Sequence, residues 1–153
     1  MEWGFMARII LAADHAGFAL KQGVKKFLES RGHEVLDMSP SRVEGDDYPD
    51  VALSAARKVV SGKCLGVFIC GSGNGVCMAA NKVRGIRAAL GYDAQSAALA
   101  RRHNDANVLC LAGRRIKPEA ARKVVSAWLS SEFEAGRHER RVRKIGSYER
   151  FRF

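Results

Sequence analysis

Apolar runs of five or six residues alternate along the chain with longer segments whose apolar positions recur every three or four residues. Short runs of this kind suit strands buried on both faces, and the longer period suits helices with one apolar stripe. Arg8 to Ala13 is the first run, and Leu20, Val24, Phe27 and Leu28 then mark a helix that Gly32 ends. Glu34 to Met38 predicts a second strand, followed by a polar loop containing Pro40, Gly45 and Asp46-Asp47. Tyr48-Pro49-Asp50 opens the next helix: Pro49 fits its first turn, while Val51, Ala55 and Val59 share a face. Leu65 to Cys70 is a third strand and Val76 to Lys82 a helical segment. Ile86 to Leu90 and Val108 to Ala112 complete five strands, separated by an Ala-rich helix from Asp93, its N-cap, to Arg102. Lys117 to Ser130 forms a helix with Pro118 near its start, and Arg137 to Ile145 a last, basic helical segment after Gly136. Strands alternating with helices imply an α/β fold: a five-stranded parallel sheet covered on both faces and joined by right-handed crossovers.

Between Cys70 and Val76 stand three glycines, Gly71, Gly73 and Gly75, which predict a tight strand-to-helix turn with free backbone N–H groups. Such a turn attracts negative charge, and Cys70 beside it is a candidate base or nucleophile. The turn departs from known phosphate loops: Val76 stands where a dinucleotide fingerprint needs its third glycine and where a cysteine phosphatase loop needs arginine. Asp14-His15 after the first strand and Arg114 after the fifth fall at the same end of such a sheet, where ligands bind. On its own, Asp14 reads equally well as a cap for the first helix. His103 lies at a helix C-terminus, at the opposite end of a regular sheet, so a shared site with Cys70 requires a partner subunit. His33 reads as a surface residue. Arg137 and Arg141, one turn apart, form either a phosphate clamp or a solvated pair.

At 153 residues with 47% hydrophobic content the chain forms one domain with a sizeable core. The formal charge of +10 favours an anionic partner. Seven basic against two acidic residues put half of that charge in residues 137–153. There Tyr148, Phe151 and Phe153 interleave with Arg150 and Arg152, which leaves a nucleic-acid-binding module as a reading from another class. No nucleic-acid motif accompanies them, so the expectation is no nucleic acid. Cys64, Cys70, Cys77 and Cys110 lack metal-ligand spacing and predict reduced thiols. The apolar run Ile9 to Ala13 is too short for a signal peptide or a span, so a cytoplasmic protein with no membrane contact is expected, residues 1–5 being an extension.

Several segments together resemble the type B ribose-5-phosphate isomerases and the related galactose-6-phosphate isomerase subunits. They are Ala13-Asp14-His15-Ala16-Gly17-Phe18, Asp47-Tyr48-Pro49-Asp50, Cys70-Gly71-Ser72-Gly73-Asn74-Gly75, Ala79-Ala80-Asn81-Lys82, Gly85-Ile86-Arg87-Ala88, Arg102-His103-Asn104-Asp105-Ala106-Asn107-Val108-Leu109 and Gly136-Arg137-His138. The resemblance implies a Rossmann-like three-layer α/β/α sandwich and a homodimer with shared sites, with further pairing to a tetramer left open. It also implies cofactor-free, metal-independent interconversion of ribose 5-phosphate and ribulose 5-phosphate. Carried over, Cys70 is the base moving a proton between C1 and C2; cysteine at 70 with valine at 76 matches the branch that uses cysteine. Gly71, Ser72, Gly73, Asn74 and Gly75 correspond to the anion hole, and His103 to the residue that assists ring opening, with Asp14 nearby. Asn104 and Arg114 correspond to substrate contacts; His15, Arg137 and Arg141 to the phosphate clamp. A six-carbon substrate, galactose 6-phosphate or allose 6-phosphate, is the nearest alternative.

Overall fold

A computed structural model describes residues 6–151. Five parallel strands, β1 (Arg8–Ala13), β2 (Glu34–Asp37), β3 (Leu65–Cys70), β4 (Ala88–Leu90) and β5 (Val108–Ala112), lie in the order β2-β1-β3-β5-β4. Alternate residues of the three inner strands face opposite layers, as the two-residue period of a strand dictates. Ile9, Leu11, Val67, Ile69, Leu109 and Leu111 pack with α1 (Phe18–Ser30), α5 (Pro118–Leu129) and Ala97 of α4 (Ala94–Asn104). Ile10, Ala12, Phe68, Cys70, Val108 and Cys110 pack on the other side with α2 (Tyr48–Gly62) and α3 (Asn74–Ala80). This is the expected α/β/α sandwich. A final helix, α6 (Gly136–Tyr148), buries only His138 and carries the basic tail in the open.

Local signals explain most of the element boundaries. Asp93 closes a full capping box with Ser96, its carboxylate accepting the Ser96 N–H at 2.6 Å. Pro118 stands in the first turn of α5, and Gly32 turns the chain out of α1 at φ +83°. Several boundaries differ from the sequence pattern, α6 for instance running from Gly136 to Tyr148 rather than from Arg137 to Ile145, and three of the differences have a visible local cause. α3 starts at Asn74 rather than Val76, because Gly73 takes φ +77° and Ser72 Oγ accepts the Asn74 N–H at 3.2 Å, so Asn74 and Gly75 already belong to the helix. α4 runs on to Asn104, where Asp105 turns left-handed, and so carries His103 in its last turn. β4 is shorter than Ile86–Leu90: the main chain of Arg87 is taken by Asn107, whose Oδ1 accepts its N–H at 2.8 Å. On the outer edge of β4 the Asn81 amide bonds both main-chain groups of Ala88, at 2.8 and 2.9 Å.

Two buried or half-buried polar residues had no signature in the pattern. Lys21 is 0% exposed, its Nζ donating to Asp37 at 2.7 Å and to the Ser39 carbonyl at 2.6 Å. His33 is half-buried rather than on the surface, since its Nδ1 accepts the Ala7 N–H at 3.2 Å. The expectations for residues 1–5, Arg152 and Phe153 lie outside the described residues. Among the described residues no helix is long and apolar enough to cross a membrane.

Candidate active site

The turns that follow β1, β3 and β5 meet through their smallest residues. Gly113 donates its N–H to the Cys70 carbonyl at 2.7 Å, Arg114 to Gly71 at 3.0 Å and Asp14 to Ile69 at 3.3 Å. A Cβ on Gly113 would stand 2.9 Å from the Gly17 Cα and 3.0 Å from the Ala16 carbonyl oxygen; one on Gly17 would press into the Ile69 carbonyl. Side chains are excluded there, so the three turns form one continuous backbone surface. Strand order reverses between β1 and β3, which places the crevice typical of open α/β sheets at this point.

Cys70 ends β3 and is 4% exposed, packed among the residues of the α2–α3 layer. Beyond it, Gly71, Ser72 and Gly73 turn the chain. Gly73 fits only as glycine, with a Cβ falling 2.5 Å from Leu90 Cδ1. The Tyr48 ring covers Gly75, 2.7 Å from where its Cβ would be, and the Arg114 side chain lies over Gly71, Cδ at 3.4 Å on the same measure. Asp14 Oδ1 accepts the N–H groups of Ala16 and Gly17, each at 3.0 Å, so its carboxylate shapes the turn ahead of α1. Asp46 Oδ1 accepts the His15 main-chain N–H and faces His15 Nδ1, both at 2.8 Å.

A second group gathers on α4 and α6. His103 and His138 stack with ring centroids 4.2 Å apart and planes 10° from parallel. Glu134 Oε2 lies 3.7 Å from one Nε2 and 3.8 Å from the other, while Arg102 Nε holds the same carboxylate at 2.6 Å. That hydrogen bond keeps the Glu134 carboxyl below its usual range. Burial, then the neighbouring His103 and Arg137 charges, push the His138 imidazole down. Arg137, Arg141 and Asn104 are exposed around this pair. The Asn104 carbonyl accepts from Arg87 Nε at 3.1 Å, and Asn107 bonds the start of β3 through Gly66. The group therefore sits at the amino end of the sheet, a strand length or about 15 Å from the Cys70 turn.

The structure thus brings Asp14, His15, Cys70, Gly71, Ser72, Gly73, Asn74, Gly75 and Arg114 together within one chain. His103, Asn104, Arg137 and Arg141 form a separate cluster, so the expected neighbourhood of Asp14 with His103, and of His15 with the two arginines, is not formed inside one chain. His103–Glu134–His138 and Asp14–His15–Asp46 each hold metal-ligand atom types within 4.8 Å. In both the carboxylates are already engaged by Arg102 or by backbone N–H groups. All four cysteines are free. Cys110 is pushed well up by burial, and a thiol hydrogen bond with it lowers Cys77.

Residues 9–145 match the family model described as Ribose/Galactose Isomerase. The chain belongs to this family. A protein of Mycoplasma pneumoniae named as a probable ribose-5-phosphate isomerase B is 50% identical, over 93% of this chain and 95% of its own length. A D-erythrulose-4-phosphate isomerase of Pectobacterium atrosepticum is 43% identical, over 94% and 96%. Among solved structures, ribose-5-phosphate isomerase B of Mycoplasma genitalium with bound ribulose 5-phosphate superposes with a TM-score of 0.92, at 44% identity over 97% of this chain and 100% of that one. In this ribose/galactose isomerase family member, sequence reasoning passed over three residues that shape the joined turns, Tyr48 and Gly113 beside the Cys70 turn and Asp46 on His15. Asp46 sits in a loop and Tyr48 at a helix start, neither with a periodic pattern, and Gly113 reads as an ordinary turn glycine; the available signal was the Asp47-Tyr48-Pro49-Asp50 segment.

Proposed function

We propose that this chain interconverts ribose 5-phosphate and ribulose 5-phosphate without a metal or other cofactor, as a homodimer whose sites combine the two clusters. The observation that carries the reading is a cysteine at the switch point of the sheet, beside a glycine turn, in a family member that matches a ribulose 5-phosphate-bound relative over nearly its full length. In this reading Cys70 Sγ removes a proton from C2 of the open-chain aldose and returns one to C1. The enediolate between these steps carries one negative charge shared by the C1 and C2 oxygens, and the hydroxyl proton passes from O2 to O1 before C1 is protonated. In the turn Gly71 to Gly75 the N–H groups of Gly71, Ser72, Gly73 and Gly75 are in place before it forms, which is where catalytic hydrogen bonds are most effective, while the Asn74 N–H is spent on Ser72 Oγ and braces the turn.

The separation of the clusters supports a two-subunit site: His103 of the partner subunit opens the sugar ring, and its Asn104 contacts the substrate alongside Arg114. His15 grips the phosphate from one chain and Arg137 and Arg141 of the partner subunit from the other. Phosphate binding at the far end then positions C1 and C2 for the proton transfer.

Conversion of ribose 5-phosphate by purified protein in excess chelator tests this reading, run beside galactose 6-phosphate and erythrulose 4-phosphate. Rapid chelator-insensitive turnover of the pentose is expected. Turnover confined to the six- or four-carbon sugar would overturn the substrate and keep the chemistry, and loss of activity in chelator would overturn the metal-independent step.

A further inference from the structure

The loop between β2 and α2 is polar and mostly exposed, yet both of its ends are tied to the turn that carries His15. At its start, Ser39 Oγ accepts the Ala13 N–H at 2.9 Å, and Ser39 itself is held by Asp37 and by the buried Lys21 ammonium. At its end, Asp46 is half-buried and spends one oxygen on His15 alone, taking both the main-chain N–H and Nδ1. A carboxylate on Nδ1 fixes the plane of an imidazole and its tautomer, so the ring has one nitrogen left to offer. Among the described residues His15 Nε2 has no hydrogen-bond partner.

From this geometry we infer that Asp46 is a positioning residue for phosphate recognition: it holds the His15 ring with Nε2 presented to the substrate phosphate and serves as counter-ion to the ring when both nitrogens donate. This deepens, and rests on, the reading of His15 as a phosphate ligand. A phosphate dianion only accepts hydrogen bonds, so the His15 form that binds it carries protons on Nδ1 and Nε2 together. That form is a cation, and Asp46 is the charge placed against it. Asp14 does not share the task through Oδ1, which is committed to the Ala16 and Gly17 N–H groups. The chemistry recognised is a phosphate monoester, independent of the length of the sugar attached to it.

The test measures competitive inhibition by inorganic phosphate, together with KM and kcat for ribose 5-phosphate, in Asp46→Asn, Asp46→Ala and His15→Ala. Asparagine keeps an acceptor at the same place and removes the charge. Asp46→Asn is expected to weaken phosphate several-fold and Asp46→Ala about tenfold, the worth of a charge-assisted hydrogen bond. The loss should fall on KM rather than kcat, a split that general loosening of the fold would not give. Unchanged phosphate inhibition in both Asp46 variants, with a clear loss in His15→Ala, overturns this inference alone. Unchanged inhibition in His15→Ala overturns it together with the clamp assignment on which it rests.

Discussion

Around Cys70 the molecule works with main chain and with side chains left out; around His103 it works with long charged side chains standing on two helices. The first region is nearly solid: Gly17, Gly73 and Gly113 are in places where a single methyl group meets backbone or core at 3.1 Å or less. The second is open, with Arg137 and Arg141 exposed and a stacked histidine pair held by a carboxylate bridge. A rigid backbone cradle suits a charge that appears at one fixed spot in a transition state. Exposed cations on flexible stems suit a phosphate that must first be caught and later released. In the proposed reading the Cys70 region carries the proton transfer and one phosphate contact, His15, while the His103 region adds ring opening and two arginines for the phosphate, and this division can be tested from both sides.

Removing the thiol should hurt most. Cys70→Ala is expected to lower kcat about 1000-fold, within the range for loss of a proton-transferring group, with circular dichroism unchanged. Near-normal turnover would remove Cys70 as the base. Joining the regions across subunits comes next. Cys70→Ala and His103→Ala, unfolded and refolded together, should recover about a quarter of the parent activity, because half of the dimers are mixed and each mixed dimer holds one intact site. No recovery on mixing would mean that both groups act from the same chain.

The solidity of the Cys70 region is a smaller effect, read in stability. Gly17→Ala should cost about 1–3 kcal/mol in urea unfolding, the range for forcing extra volume into a packed site. A cost below measurement would show that the three turns can part. The smallest expected effect is pH-dependent. Burial lowers the His33 imidazole from the ordinary value of 6.5, and its Nδ1 must stay unprotonated to accept from Ala7. The unfolded chain therefore binds this proton more readily, and the His33 contribution is present above pH 6.5 and lost as pH falls below it. Comparing the thermal midpoint at pH 7.5 and 5.5, the parent should lose more than His33→Gln; equal losses would contradict this account.

The comparison also explains what could be read from the sequence. Strands β1, β3 and β5, the Asp93 cap, the Pro118 start and the glycine turn are written in neighbouring residues, so local pattern reached them. The chain alone also placed His103 away from Cys70, because helix direction in a parallel sheet leaves no other arrangement. Lys21, Asp46 and Tyr48 were different. Each takes its meaning from a partner 16 to 31 residues away, as in Lys21 with Asp37 and Asp46 with His15, or from one glycine across the turn, as in Tyr48 with Gly75. A lysine in the buried stripe of α1 looks like an interruption until Asp37 arrives beside it.

The Asn81 amide on the outer edge of β4 has a consequence for how the protein behaves when crowded. By occupying both main-chain groups of Ala88 it mimics one rung of a sixth strand, and stray extended segments find that rung already taken. Asn81→Ala would return that rung to solvent and lengthen the stretch of edge on which unfolded neighbours can add.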